Sequence, residues 1–229
     1  MSAHLKKNHL IYLIPTVIFL IVVLILNFNG LYGQDSYEYV RYSKSLSQFF
    51  ADGIPPGNFF WSVYYPLTGA VLSFIIYSNQ LSLQFISFVS FLSGIYYLRR
   101  TLQFVYPESK EKISVYILIA FILSPMMLIY SQVIMSDMFC LFFITAGFYH
   151  SQKFQKELQR KDFLLAVLFM TAAVLTRYAS VVVLIIPAIF MLFAFIRNFN
   201  LSTIIISLLL IIILFIPEFF LKAGTNLKC

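Results

Sequence analysis

The sequence is poor in charge and in cysteine. Only 11% of its 229 residues are charged, against about 25% in a soluble domain, whereas 61% are hydrophobic and the mean hydropathy is +0.88. This composition excludes a water-soluble globular protein and predicts an integral membrane protein. Two cysteines are too few for a disulfide framework or a cysteine metal site, and the three histidines predict no histidine metal site.

Basic residues nevertheless outnumber acidic ones, 16 to 9. In a membrane protein this excess marks cytoplasmic loops, so we expect no nucleic-acid partner. The first apolar run, Leu10–Phe28, is long enough for a membrane helix, which needs about 20 residues. No small-residue cleavage site follows the run, so we expect an uncleaved anchor rather than a signal peptide.

Eight apolar runs cover most of the chain and leave no room for an ordered water-soluble domain. The runs are Leu10–Phe28, Ser62–Ser78, Leu81–Leu98, Ile113–Tyr130, Met138–Tyr149, Phe163–Thr176, Tyr178–Ile196 and Thr203–Phe220. A turn is predicted at Thr176-Arg177, because a charge at the bilayer centre costs several kcal/mol. Pro55-Pro56-Gly57 breaks any helix before the second run, and Pro66 is predicted to interrupt that run.

The topology depends on whether Ser62–Ser78 crosses the membrane. If it does not, and the N-terminus is cytoplasmic, the basic residues inside are Lys6, Lys7, Arg99, Arg100, Lys110, Lys112, Lys153, Lys156, Arg160, Lys161 and Arg197. Those outside are Arg41, Lys44, Arg177, Lys222 and Lys228. If the run crosses, the two sets exchange sides and the positive-inside rule is violated.

We therefore predict one all-α domain over residues 1–229, a polytopic helix bundle with about seven spans. Its first outer loop, residues 29–80, carries amphipathic juxtamembrane helices, and Ser62–Ser78 lies along or dips into the outer face. Within this loop the segment Ser36–Ala51 has helical periodicity. The apolar positions that give this periodicity are Tyr39, Tyr42, Leu46, Phe49 and Phe50. Asp52-Gly53 is predicted to end this helix.

Asp35 has two interpretations. The spacing of Asp35 and Glu38 is that of a capping box, which would fix the start of the helix. Alternatively, Asp35 is a base at the membrane surface that takes a proton from an acceptor hydroxyl. Asp35 and Glu38 could also share a divalent cation, but two carboxylates are too few to predict a metal site.

Asp137 and Arg177 each lie between two predicted spans. Asp137, with Ser136, could cap the following helix, or it could orient an acceptor or a basic partner. Arg177 is either an anchor that snorkels to the interface or a clamp for a lipid-linked phosphate, since a guanidinium matches phosphate oxygens. Arg41 and Lys44 either assist Arg177 or lie solvated at the headgroups.

Two residues on the predicted outer face are not assigned to a binding or catalytic site. Glu218 follows Pro217 near a helix end and is predicted to be a solvated terminus. Trp61, like the tyrosines near the outer face, is predicted to belong to an interfacial aromatic belt rather than to a sugar-stacking platform.

Four short motifs follow one another on the predicted outer face. They are Asp35 with Tyr37 and Tyr39; Pro55-Pro56-Gly57 with Phe59-Phe60-Trp61 and Tyr64-Tyr65-Pro66; Pro125 through Ser131 to Asp137-Met138; and Leu175-Thr176-Arg177-Tyr178 followed by Pro187. Together they resemble the GT-C superfamily of membrane glycosyltransferases, which includes protein O-mannosyltransferases and lipid A aminoarabinose transferases. The resemblance covers nearly the whole chain.

The resemblance implies an enzyme, a hexosyl- or mannosyl-type glycosyltransferase of the plasma (inner) membrane. Its donor would be a polyprenyl-phosphate sugar, and its acceptor a lipid, a glycan or a protein at the outer face. Asp35 would be the catalytic base, Arg177 would bind the phosphate of the donor, and Asp137 would support the site. Glu38 and Arg41 complete our set of candidate substrate-binding residues.

The chain departs from these families in two ways. Relatives often carry two adjacent acidic residues where this sequence has Asp35-Ser36, and they are usually much longer. We therefore expect a fragment of a longer protein, or an N-terminal module that does not act alone. A non-enzymatic lipid-carrier transporter or flippase, or an inactive truncated product, are the alternatives. The ionisable residues at the span ends favour surface chemistry over transport, which places such groups near the midplane.

Overall fold

The protein is all-helical, as predicted. The computed structural model describes residues 2–122, 124–197 and 200–226, and every regular element in these ranges is a helix. The α-helices are α1 Ser2–Leu20, α2 Gly33–Asp52, α3 Tyr64–Ile76, α4 Asn79–Val105, α5 Lys110–Ile122, α6 Pro125–Gln132, α7 Ser136–Glu157, α8 Arg160–Thr176, α9 Val181–Arg197 and α10 Leu201–Asn226. A π-helical turn, Ile21–Ile25, continues α1.

Three stretches of the described chain are long and apolar enough to cross a membrane. They are Asn79–Val105, Tyr178–Arg197 and Leu201–Lys222, of 27, 20 and 22 residues. A fourth is obtained if the bent pair Lys112–Ala120 and Pro125–Gln132 is counted as one span. These helices indicate a membrane protein. The count of about seven spans stays a prediction.

The run Ile113–Tyr130 does not form one continuous helix. Its two parts, in α5 and α6, are bent by 78° relative to each other. Pro125 is the first residue of α6, where the missing N–H of proline costs nothing, and proline disfavours helix in the residue before it. The proline therefore starts a new helix instead of sitting inside a long one.

Helix α3 has 13 residues and is therefore about 20 Å long, too short for a hydrocarbon core of about 30 Å. It packs against α2 and α4.

The prediction that Pro66 interrupts this segment is wrong. Pro66 lies in the first turn of α3, where its backbone nitrogen would have no intrahelical partner.

Helix α2 carries most of the predicted apolar stripe into the protein, with Phe50 exposed as the exception. Tyr39, Tyr42 and Leu46 are buried, and each of these side chains contributes about 1.5–3 kcal/mol through removal from water. The helix ends at Asp52, as predicted, because Gly53 takes the left-handed conformation, with φ at 71°, that commonly terminates helices. It begins earlier than predicted, at Gly33.

Helices α7 and α8 form an antiparallel hairpin that α4, α9 and α10 pack against. A polar cluster around the buried carboxylate of Asp162 closes one end of the hairpin. The Nδ1 atom of His150 lies 2.8 Å from one oxygen of Asp162, and the Nζ atom of Lys153 donates to the other at 3.0 Å. The opposite end of the hairpin carries Asp137 and Arg177.

The loop after α1 is fixed to the segment between α6 and α7. The backbone N–H of Ile134 donates to the carbonyl of Gly30 at 2.8 Å. The side chain of Gln84 donates to the carbonyls of Phe28 and Gln132, at 3.2 and 3.0 Å. These bonds bring the starts of α2 and α7 together, because each helix begins within a few residues of the contact.

A substitution at Gly30 tests this junction. Gly30 has φ at 78°, and a Cβ atom there would lie 2.9 Å from a side-chain carbon of Ile134. Gly33 also has positive φ, at 70°, but a Cβ there meets nothing within 4 Å. Both alanine variants strain the backbone by about 1–2 kcal/mol, and Gly30→Ala adds an overpacking cost of about 1–3 kcal/mol.

We therefore expect Gly30→Ala to lower the melting temperature in detergent, followed by circular dichroism, clearly more than Gly33→Ala does. Equal melting temperatures for the two variants would contradict the close packing at Gly30.

Candidate functional site

The start of α2 does not use the predicted capping box. The N-cap position is Tyr32, with no side-chain cap. Instead, the hydroxyl of Ser36 accepts from the N–H of Tyr32 at 3.1 Å and donates to its carbonyl at 2.8 Å. Asp35 lies in the first helical turn and makes no hydrogen bond or ion pair within the described residues. The capping interpretation of Asp35 is therefore wrong, and its half-buried carboxylate has no structural partner there.

Asp137 does not cap α7 either. The N-cap of that helix is Met135, which has no side-chain cap. Ser136 is buried and shares a hydrogen bond of 2.9 Å with the phenol of Tyr39, which joins α7 to α2. Asp137 lies in the first turn, where a negative charge is favourable next to the helix dipole. Its carboxylate instead contacts Arg177.

The predicted turn at Thr176-Arg177 is confirmed. Helix α8 ends at Thr176, and Arg177 is extended. The guanidinium Nη1 of Arg177 forms an ion pair and a hydrogen bond with Oδ1 of Asp137. The side chain of Arg177 remains 44% exposed and that of Asp137 36% exposed, so solvent or a ligand can reach both.

Asp35, Asp137 and Arg177 line a single cavity of about 360 Å³, which we call the Arg177 cavity. The volume falls in the range of small-molecule sites. Its wall is completed by aromatic and small polar side chains from α2, from the loop before α3 and from the turn after α8. These are Tyr39, Phe60, Trp61, Ser62, Thr176 and Tyr178.

Tyr39 is a neutral hydrogen-bonding group in this wall. Burial raises the pKa of Tyr39 above its ordinary value. The hydrogen bond with Ser136 and the charge of Arg177 act against this effect, whereas the carboxylates of Asp35 and Asp137 act with it. The phenol therefore keeps its proton at neutral pH.

Glu38 and Arg41 lie beside this cavity rather than in it. The Nε and Nη2 atoms of Arg41 donate to Oε2 of Glu38 at 2.9 and 2.8 Å. Both residues line a second, more open cavity of about 620 Å³, which we call the Arg41 cavity. Its other polar lining residues are Gln34, Asn58 and Lys222. Asp35 and Glu38 thus line different cavities, which gives no support to a cation shared between them.

Trp61 is half-buried and packs against other aromatic rings of the protein. Its ring contacts Tyr39 and Phe59 at centroid distances of 5.9 and 5.6 Å. Trp61 and the neighbouring Phe60 line both cavities. The loop before α3 therefore forms the partition between them.

Glu218 is not the solvated terminus that was predicted. Only 8% of the residue is exposed. Its carboxylate accepts the N–H of Val63 at 3.1 Å and the hydroxyl of Tyr178, and forms an ion pair of 2.6 Å with Lys222. Sequence reasoning missed this residue, although a carboxylate four positions before a lysine near the end of an apolar helix was a usable signal.

No group of three His, Cys, Asp or Glu side chains in the described ranges is arranged to hold a metal ion. The Arg177 cavity combines Asp35, a carboxylate without a partner among the described residues, with a cation held by Asp137. Such a pair can accept a proton and bind an anion at the same time.

Neither a protein-family model, nor a curated protein, nor a solved structure matches this chain. Any function is consequently argued from the geometry of the cavities and from the motif resemblance.

Replacement of Glu218 by alanine is expected to destabilise the protein. The variant removes the acceptor of Val63 and Tyr178 and the ionic partner of Lys222, and buried donors left without an acceptor cost about 1–3 kcal/mol each. Glu108→Ala is the matched control, because Glu108 is exposed on the turn before α5. Thermal unfolding in detergent should show a lower midpoint for Glu218→Ala only. Equal midpoints would mean that the carboxylate has no structural role.

Proposed function

We propose that this protein is a membrane glycosyltransferase that moves a sugar from a polyprenyl-phosphate donor to an acceptor hydroxyl at the outer face. One observation carries the proposal: Asp35, Asp137 and Arg177, from three separate segments, line the same cavity. The motif resemblance of the sequence supports the same chemistry.

Asp35 is the proposed catalytic base. Its carboxylate has no hydrogen-bond partner within the described residues and is half-buried, so it is available to the hydroxyl of an acceptor. In the proposed step, the acceptor oxygen attacks the anomeric carbon of the donor while the bond between that carbon and the phosphate oxygen breaks. Asp35 takes the hydroxyl proton, and the departing phosphate keeps the bonding electrons.

Arg177 is the proposed partner of the phosphate. Its Nη1 atom is engaged by Asp137, whereas Nε and Nη2 make no hydrogen bond within the described residues. These two groups form the fork that matches two phosphate oxygens. Positive charge at this point would stabilise the negative charge that grows on the leaving group. Asp137 is then a positioning residue, since it acts through Arg177.

The proposed topology has about seven spans and a cytoplasmic N-terminus. The charge distribution supports it, because it leaves eleven of the 16 basic residues inside. The bent helix pair at Pro125 and the shorter apolar segment His9–Ile25 would supply spans beyond the three long apolar stretches. In this topology both cavities lie on the outer side of the plasma membrane.

Two substitutions test the proposed chemistry. Asp35→Asn should lower sugar transfer by about 10²–10⁴-fold, because it removes the base. Arg177→Ala should weaken donor binding by about 10–100-fold, because hydrogen bonds to charged groups contribute about 1.5–3 kcal/mol. Transfer is measured with radiolabelled polyprenyl-phosphate sugars and membranes that contain the protein.

The controls are Asp52→Asn and Arg197→Ala, since both residues are exposed at helix ends. Both variants should behave like the unmodified protein. Transfer and donor binding that survive Asp35→Asn and Arg177→Ala would overturn the proposal. Movement of the lipid carrier across the membrane without sugar transfer would favour a transporter.

Cysteine labelling tests the topology. With Cys140 and Cys229 replaced by serine, a single cysteine at Asp52 should react with an impermeant maleimide on intact cells. A cysteine at Lys110 should react only after permeabilisation, since the two positions are assigned to opposite sides. The reverse pattern would invert the proposed orientation.

A further inference from the structure

We propose that the Arg41 cavity binds a sugar ring of the acceptor, an uncharged polyol, beside the Arg177 cavity. This inference rests on the proposed function and adds to it the chemical class of the acceptor.

The polar groups of the Arg41 cavity suit an uncharged ligand with many hydroxyls. Gln34, Glu38 and Arg41 follow one another at steps of four and three on one face of α2. Glu38 and Arg41 neutralise each other, and Lys222 forms an ion pair with Glu218. The cavity therefore offers donors and acceptors without the excess positive charge that an anion requires.

The ion pair of Glu38 and Arg41 leaves groups open for a ligand. Both bonds from Arg41 to Glu38 end on Oε2, and Nη2 of Arg41 also donates to the carbonyl of Asn58 at 3.3 Å. Within the described residues, Oε1 of Glu38 and Nη1 of Arg41 make no hydrogen bond. The side chain of Gln34 likewise makes none. A sugar hydroxyl both donates and accepts, so it can bond to the carboxylate oxygen, the guanidinium and the amide together.

Aromatic side chains complete the lining of this cavity. Phe60 is 87% exposed, and its ring lies edge-on to that of Trp61 at a centroid distance of 6.1 Å. The exposed ring offers an apolar surface that a ligand can cover. The apolar C–H face of a sugar ring supplies that cover while its hydroxyls reach α2.

The two cavities are joined in a way that fits transfer to such an acceptor. Phe60 and Trp61 line both, and the consecutive residues Gln34 and Asp35 line one each. The Nζ atom of Lys222, in the Arg41 cavity, donates to the hydroxyl of Tyr178, in the Arg177 cavity, at 3.1 Å. An acceptor ring held by Gln34 and Glu38 would thus present a hydroxyl to the neighbouring Asp35.

Trp61 reports on both cavities, because it is the single tryptophan of the chain. The full chain in nanodiscs is titrated with methyl α-mannoside and with methyl β-glucoside, and separately with farnesyl phosphate as a short donor mimic. We expect at least one glycoside and farnesyl phosphate to change the Trp61 emission.

The double variant Glu38→Ala with Arg41→Ala keeps the net charge and should weaken glycoside binding about tenfold or more, with farnesyl phosphate binding unchanged. Arg177→Ala should give the opposite pattern.

The double variant Glu108→Ala with Lys110→Ala, on an exposed turn, should change neither. Gln34→Ala, at an exposed position, should weaken glycoside binding several-fold and covers the case in which the Glu38 and Arg41 variant does not fold.

The outcomes separate the inference from the proposed function. If farnesyl phosphate changes the emission through Arg177 but no glycoside does so through Glu38, Arg41 or Gln34, the acceptor inference is wrong and the donor site stands. If the glycosides depend on α2 but farnesyl phosphate does not depend on Arg177, the sugar-binding cavity stands and the proposed donor site fails. A response to hydroxyl-bearing peptides alone would also overturn the inference.

Discussion

The buried carboxylate of Glu218 is the interaction on which the geometry of both cavities depends. It holds the backbone of Val63, just after the partition formed by Phe60 and Trp61, and the hydroxyl of Tyr178, next to Arg177. A buried charge is stable only while it keeps its partners. Glu218 therefore ties together the loop, the turn and α10, three segments that are distant in sequence.

The common position of Asp35, Asp137 and Arg177 at one end of the helices could be predicted from the sequence. Apolar runs that alternate in direction bring every second connection to the same side, and the basic residues mark the other side. The start of α2 could not be predicted, because a bond from Ser36 to Tyr32 takes the place of a cap by Asp35. The sequence also does not predict that side chains of α2 line two different cavities. The loop that places Trp61 between the cavities separates them.

The burial of Glu218 and the positions of Pro66 and Pro125 in their helices were not predicted, for related reasons. In the sequence, a glutamate after a proline near a helix end resembles a solvated terminus. Its buried carboxylate is bound by the N–H of Val63, a residue 155 positions away. Pro66 was predicted to interrupt its segment and Pro125 was placed inside an uninterrupted run, whereas each lies in the first turn of a helix. The effect of a proline depends on where the helix begins, and tertiary packing decides that point.

The ion pair of Asp137 and Arg177 contributes little to stability, which points to a role other than holding the fold together. Partly exposed pairs contribute only about 0–1 kcal/mol to stability, so folding gains little from keeping these two charges in a cavity. The cluster of His150 and Lys153 around the buried Asp162 closes the other end of the same hairpin. The hairpin is therefore closed mainly at the end with His150, and a ligand can compete for Arg177 at the other end at little cost in stability.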